Sequence, residues 1–198
     1  MKRVILFALA IASASCGDLT RQGTASSFLI VSSLQAASGA TPDEFGGTLG
    51  SDVITIVDKD TGQSTIFEDA GLVEFQLGLK DPGGANSPTD PSSNNFITVN
   101  RYRVRYVRAD GRNTPGVDVP YGFDGAFTVT VGTGDASAGF TLVRSQAKLE
   151  APLLALRHNL MVISVIAEVT FFGRDQTGRD VQATANILIN FANHGDPE

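Results

Sequence analysis

Among 198 residues there is no tryptophan, one cysteine and two histidines. A single cysteine excludes an intrachain disulfide and a thiolate-held metal cluster. Two histidines leave little material for imidazole ligation or for base-assisted nucleophiles. Charged residues make up 18 % of the chain, below the usual level of about a quarter. That excludes a coiled coil, a disordered acidic tail and a basic nucleic-acid-binding arm. Hydrophobic residues and glycine are abundant instead, at 42 % of the chain and 21 residues. This is enough apolar material for a real core, and the length predicts one domain.

The first residues read as a processing segment. Met1-Lys2-Arg3 is basic, Val4 to Ala12 is an unbroken apolar run, and Ser13-Ala14-Ser15 supplies small residues. This is the order of a secretory signal. As a helix, the apolar run would span only about 13 Å, too short to cross a hydrocarbon core of about 30 Å. The lone Cys16 follows at once. The segment resembles a bacterial lipoprotein signal, whose cysteine is lipidated and becomes the new N-terminus. Ser13 departs from that pattern, since leucine is usual there. The resemblance implies an exported chain anchored through lipid on Cys16, and Gly17 rather than aspartate implies the outer membrane. The alternative is ordinary secretion, with cleavage near Ala14 or Ser15. Lipidation also consumes a thiol that would otherwise be reactive.

Loss of Lys2 and Arg3 takes the formal net charge from −6 to −8. An acidic globule repels nucleic-acid phosphates and anionic headgroups. No later apolar run suits a membrane-spanning helix, so membrane contact is expected to rest on the lipid. The expected organisation is a signal at 1–15, a tether at 16–25, one β-sandwich at 26–194 and a polar tail at 195–198.

Strand patterns recur beyond the tether, with turn residues between them. Segments 27–34, 53–57, 72–80, 96–108, 126–131 and 138–143 read as strands, and 41–52 and 81–95 as loops. In 96–108, Ile97 and Val99 are odd, whereas Tyr102, Val104 and Tyr106 are even. That slip of phase predicts a β-bulge near Asn100. Residues 150–157 read as a short helix, with Pro152 in its first turn and Arg157 at its end. Two long alternating strands close the chain around Asp175-Gln176-Thr177-Gly178. Seven to nine antiparallel strands with one short helical crossover predict an all-β sandwich. A closed barrel with a ligand cavity is the other architecture that fits. The final hairpin, Glu168 to Ile189, resembles the last two strands of bacterial immunoglobulin-like or fibronectin-type-III-like domains. The whole resembles small envelope lipoproteins, which implies a location and no activity.

Few residues point to chemistry. Arg101, Arg103 and Arg105 share one strand face. They read as an anion-binding stripe or, more simply, as a solvent face paired with acids such as Glu74 or Glu168. Asp58, Asp60 and Asp69 hint at calcium, but their spacing around Gly62 also suits a plain hairpin turn. His158 and His194 sit in no nucleophile motif. Tyr102, Tyr106 and Tyr121 read as a sugar platform or as caps on the core. Gly132-Thr133-Gly134 reads as a turn, with no helix after it to bind phosphate. These patterns predict a non-enzymatic, lipid-anchored envelope module without cofactor that contacts an envelope protein or glycan. Its contact loops would be 37–52, 81–95 and 109–122. A carbohydrate- or calcium-binding accessory module is the second expectation, and an unrecognised hydrolase needing His158 the third.

Intact-mass and N-terminal analysis of the exported protein checks the signal reading. The expected product begins at Cys16 and carries acyl mass. An unmodified N-terminus, or one at another residue, would contradict it.

Overall fold

A computed structural model describes residues 23–194. The signal and Cys16 lie outside those residues. Thirteen strands follow in order: β1 (Ser27–Ala37), β2 (Thr48–Asp52), β3 (Thr55–Asp58), β4 (Gln63–Thr65), β5 (Asp69–Leu79), β6 (Gly83–Gly84), β7 (Ser87–Pro88), β8 (Ile97–Val107), β9 (Phe123–Gly125), β10 (Val129–Val131), β11 (Ala136–Val143), β12 (Ile163–Asp175) and β13 (Asp180–Ala192). Nine of them build two facing sheets. One has the order β1-β5-β11; the other runs β10-β8-β12-β13-β2, with β9 also on β8. Two small hairpins, β3-β4 and β6-β7, stand apart. The protein is an all-β sandwich.

Three expectations are corrected. Residues 48–52 are a strand, not a loop, and β2 pairs with β13 in parallel, so the sandwich is not wholly antiparallel. The helical stretch expected over 150–157 is a 3-10 segment over Leu153–His158, preceded by a four-residue α-helix, α1, at Ser145–Lys148. Pro152 caps that 3-10 segment rather than opening an α-helix. Among the described residues, no helix is long and apolar enough to cross a membrane.

Alternation decides what is buried. On β12, Val165, Ala167, Val169 and Phe171 point into the core, as do Val73 and Phe75 on β5. Phe75 meets Phe171 edge-on across the two sheets, with ring centroids 5.0 Å apart. Phe140 of β11 meets Phe171 at 5.6 Å and Tyr102 at 5.0 Å. Each such pair adds about 0.5–1.5 kcal/mol beyond the burial of its area.

One ion pair lies inside this core. Asp69 opens β5 and Lys148 ends α1, and their side chains are 0 % and 1 % exposed. Lys148 Nζ donates to Asp69 Oδ1 at 2.9 Å, and the Gly39 N–H donates to the same oxygen at 3.0 Å. Ser51 Oγ donates to Asp69 Oδ2 at 2.6 Å. One carboxylate thus joins the β1–β2 connection, β2, β5 and the crossover between β11 and β12. Gly39 is required there, because a Cβ would stand 2.2 Å from the Glu68 carbonyl. Burial pushes the Asp69 carboxyl up, the Lys148 charge and the three donors pull it down, and the net direction is up.

Removing one partner of a buried pair leaves an uncompensated charge, which costs about 3–5 kcal/mol. Lys148→Met is expected to lose stability of that order in denaturant titration. Adding Asp69→Asn removes the stranded charge and keeps an acceptor for Gly39, so the double variant should recover more than half of the loss. Additive losses would show that the two side chains are not coupled.

Candidate functional site

Register places the connections at two ends. Ser27 lies opposite Leu79, Ile97 opposite Asp175, and Val131 opposite Ile97. Residue 23, the 80–96 connection and the β12–β13 turn therefore share one end. Ala37 lies opposite Ala70, and Ile163 opposite Phe191. The 38–47 and 108–122 connections and the crossover thus gather at the other end. The strand between them has 13 residues, a length of about 40 Å.

The bulge falls where the phase slip places it. Arg101 pairs with Phe172 and Val99 with Gly173, leaving Asn100 as the extra residue on β8. Gly173 permits this close approach, since a Cβ there would sit 2.6 Å from the Thr98 carbonyl. Before the bulge Ile97 and Val99 face the core; after it Tyr102, Val104 and Tyr106 do. Arg101, Arg103 and Arg105 are thereby turned to solvent.

The three arginines do not act as one stripe. Arg103 makes a bidentate pair with Asp124, at 2.8 and 3.1 Å. Its guanidinium holds the Asp124 carboxyl below the usual range. Arg105 pairs with Glu168 at 2.7 Å, one of the two acids expected. Glu74 is not an arginine partner: it lies on β5, in the other sheet. Arg101 alone stacks on an aromatic ring, its guanidinium 4.2 Å from the centroid of Phe172. Among the described residues no carboxylate bridges it.

Arg101 and Phe172 form one wall of a cavity of about 650 Å³. It opens between the start of β1, the end of β5 and the paired ends of β12 and β13. Phe28 and Lys80 also line it, as do Arg174 and Asp180 where the β12–β13 hairpin begins to turn. Lys80 Nζ donates to the Gly23 carbonyl and lies 5.4 Å from the Phe28 ring centroid. Arg174 pairs with Asp180 at 2.7 Å. The lining thus carries three cations and one acid, a local excess of positive charge on an acidic chain. No single residue class signalled the site, because Lys80 follows β5, Arg101 lies within β8 and Arg174 lies near the end of β12.

The calcium reading does not assemble. Asp58 accepts from the backbone of Asp60 and Thr61 at 2.9 and 3.3 Å, capping the β3–β4 turn. Asp69 is turned into the core on Lys148 instead. Among the described residues, no three metal-ligating side chains cluster. The sugar platform does not assemble either. Tyr102 and Tyr106 are buried in the core, and Tyr106 Oη donates to the Leu142 carbonyl at 2.8 Å. Burial pushes the Tyr106 phenol far up, with a smaller push from Asp69. Tyr121 is exposed and packs against Gly116, at the other end of the sandwich. His158 is exposed at the end of the 3-10 segment. The backbone N–H of His194 donates to Asp52 at 3.2 Å, and its ring contacts the Asn190 carbonyl at 3.3 Å. Residues 132–134 form a turn between β10 and β11 with no helix behind it.

No family model and no curated protein matches the chain. A crystal structure of a Bordetella pertussis protein assigned the name ApaA is similar over 85 % of this chain and 95 % of that one, at 10 % identity and a TM-score of 0.33.

The turn beside the cavity has its own titratable anchor. Asp175 Oδ1 accepts from the Thr177 N–H at 2.9 Å, Thr177 Oγ1 at 2.7 Å and the Arg179 N–H at 2.9 Å. Burial works to raise this carboxyl, but the donors and the Arg179 charge outweigh it and its pKa is lowered. A depressed carboxyl contributes stability above its unfolded pKa and loses it as pH falls through the folded one. Asp175→Asn is therefore expected to cost about 1–2 kcal/mol at neutral pH. The gap to the native chain should close on acidification below about pH 4. A gap constant with pH in thermal melts would contradict this role.

Proposed function

We propose that the chain is a non-enzymatic, lipid-anchored module of the cell envelope, held through Cys16 in the outer membrane, that works by contact. One observation carries the reading: the ionisable groups best placed for chemistry are committed to holding the sandwich together. Asp69 and Lys148 neutralise each other in the core. Asp52 accepts from Thr55 Oγ1 at 2.7 Å and from His194 N at 3.2 Å. Asp175 caps a turn. What faces solvent at each end is connecting chain on a rigid scaffold, the usual carrier of recognition.

At the end away from residue 23, Asp110 gathers Arg108 at 2.7 Å and Arg112 at 2.9 Å, so the 108–122 connection is internally braced. The same end carries Leu160, 98 % exposed, beside exposed Met161 and Val162. An anchor at Cys16 puts the end holding residue 23 toward the bilayer and this braced, partly apolar end away from it. That arrangement suits a module presenting its far loops to an envelope protein.

Complementation of a deletion strain tests the reading. His158→Ala with His194→Ala should rescue the deletion strain as well as the native chain does. Cys16→Ser should fail to rescue it and should leave the membrane fraction. A folded, anchored double-histidine variant without function would overturn the non-enzymatic reading.

A further inference from the structure

We propose that the cavity between Arg101 and Lys80 binds the phosphate of an anionic lipid headgroup, giving the domain a second, non-covalent hold on the membrane. The proposal rests on anchoring through Cys16, but its chemistry is visible in the described residues alone. Two cations line one cavity, Arg101 on Phe172 and Lys80 beside Phe28. The third, Arg174, is already held by Asp180. Along β8 the arginines diverge in just this respect: Arg103 and Arg105 are neutralised by Asp124 and Glu168, and Arg101 is left to the cavity. A guanidinium presents several donors in a fixed plane and suits phosphate oxygens. The ammonium of Lys80 adds a point charge.

Position favours a lipid over a free anion. Gly23 lines the cavity and stands seven residues after Cys16. Fully extended, that stretch reaches about 25 Å. An acylated Cys16 therefore keeps the cavity within reach of the headgroups. The walls suit such a ligand, since Phe28, Phe172 and Val181 offer apolar surface beside the cations. The acidity of the whole chain does not forbid the contact. At physiological ionic strength charges are screened over about 8 Å, so the local cations govern what approaches the cavity.

The test uses the exported full chain carrying Cys16→Ser, so its outcome does not depend on lipidation. Failure of the anchor reading would appear in the mass of the native N-terminus. Failure of this proposal would appear here. Co-sedimentation compares phosphatidylcholine vesicles with vesicles that also contain phosphatidylglycerol, and soluble glycerol phosphate is titrated in parallel. Saturable binding to the anionic vesicles is expected, weaker at high salt. Arg101→Gln or Lys80→Gln should weaken it about fivefold each. Arg105→Gln, on the same strand but already paired, should change it less than twofold. All three side chains are exposed, so melting temperatures should confirm folding. Equal binding to both vesicle types would overturn the proposal, as would a loss for Arg105→Gln as large as that for Arg101→Gln. Binding of glycerol phosphate or an acidic glycan without vesicle binding would assign the cavity to a soluble ligand and overturn the membrane source.

Discussion

Between Val99 and Arg101, strand β8 carries one residue more than the strand beside it. Side chains alternate with period two, so one extra residue reverses every side chain after it. The reversal keeps both halves of the strand useful. Ile97 and Val99 fill the core at one end, and Tyr102, Val104 and Tyr106 fill it at the other. It also fixes which residues reach solvent, and so decides that Arg101 faces the cavity instead of the core. The partner strand answers with Gly173, where a side chain would collide with the Thr98 carbonyl. Core, arginine face and cavity wall all follow from this one insertion.

The far end depends on a different constraint. A carboxylate and an ammonium are sunk in the core together, and each needs the other to stay there. Asp69 thereby fixes where the β1–β2 connection, β2 and the crossover sit relative to β5. The two ends are stabilised by unlike means. The bulged end leaves cations at the surface of a cavity, whereas the far end buries its charges and braces its loops with paired side chains. That asymmetry underlies the reading of one end as membrane-facing and the other as free to meet a partner.

Much of this was legible in the chain because it was written in local periodicity. The bulge showed as a switch from odd to even apolar positions, and β5, β12 and β13 as clean alternation. Strand β2 was hidden, since Thr48-Leu49-Gly50-Ser51-Asp52 has one large apolar residue and forms only by pairing in parallel with a strand over a hundred residues later. The partner of Arg103 was hidden for a similar reason: Asp124 sits in a three-residue strand whose Asp-Gly reads as a turn. Asp69 and Lys148 are 79 residues apart, and nothing in the local pattern of either marks it as buried. The cavity is the least local feature of all. Its cations come from three stretches far apart in the sequence, and only the fold brings them together.

Orientation on the membrane tests the central claim most directly. Cys16 is the only cysteine in the sequence, and lipidation leaves no free thiol to compete with an introduced one. Single nitroxide labels can therefore be placed at Asn94, in the 80–96 connection at the cavity end, and at Met161, at the far end. The anchored protein is then reconstituted in bilayers carrying a nickel-chelating lipid, and relaxation is measured by electron paramagnetic resonance. A sandwich standing on its cavity end gives strong relaxation at Asn94 and little at Met161. Equal relaxation at both positions, or the reverse order, would contradict it.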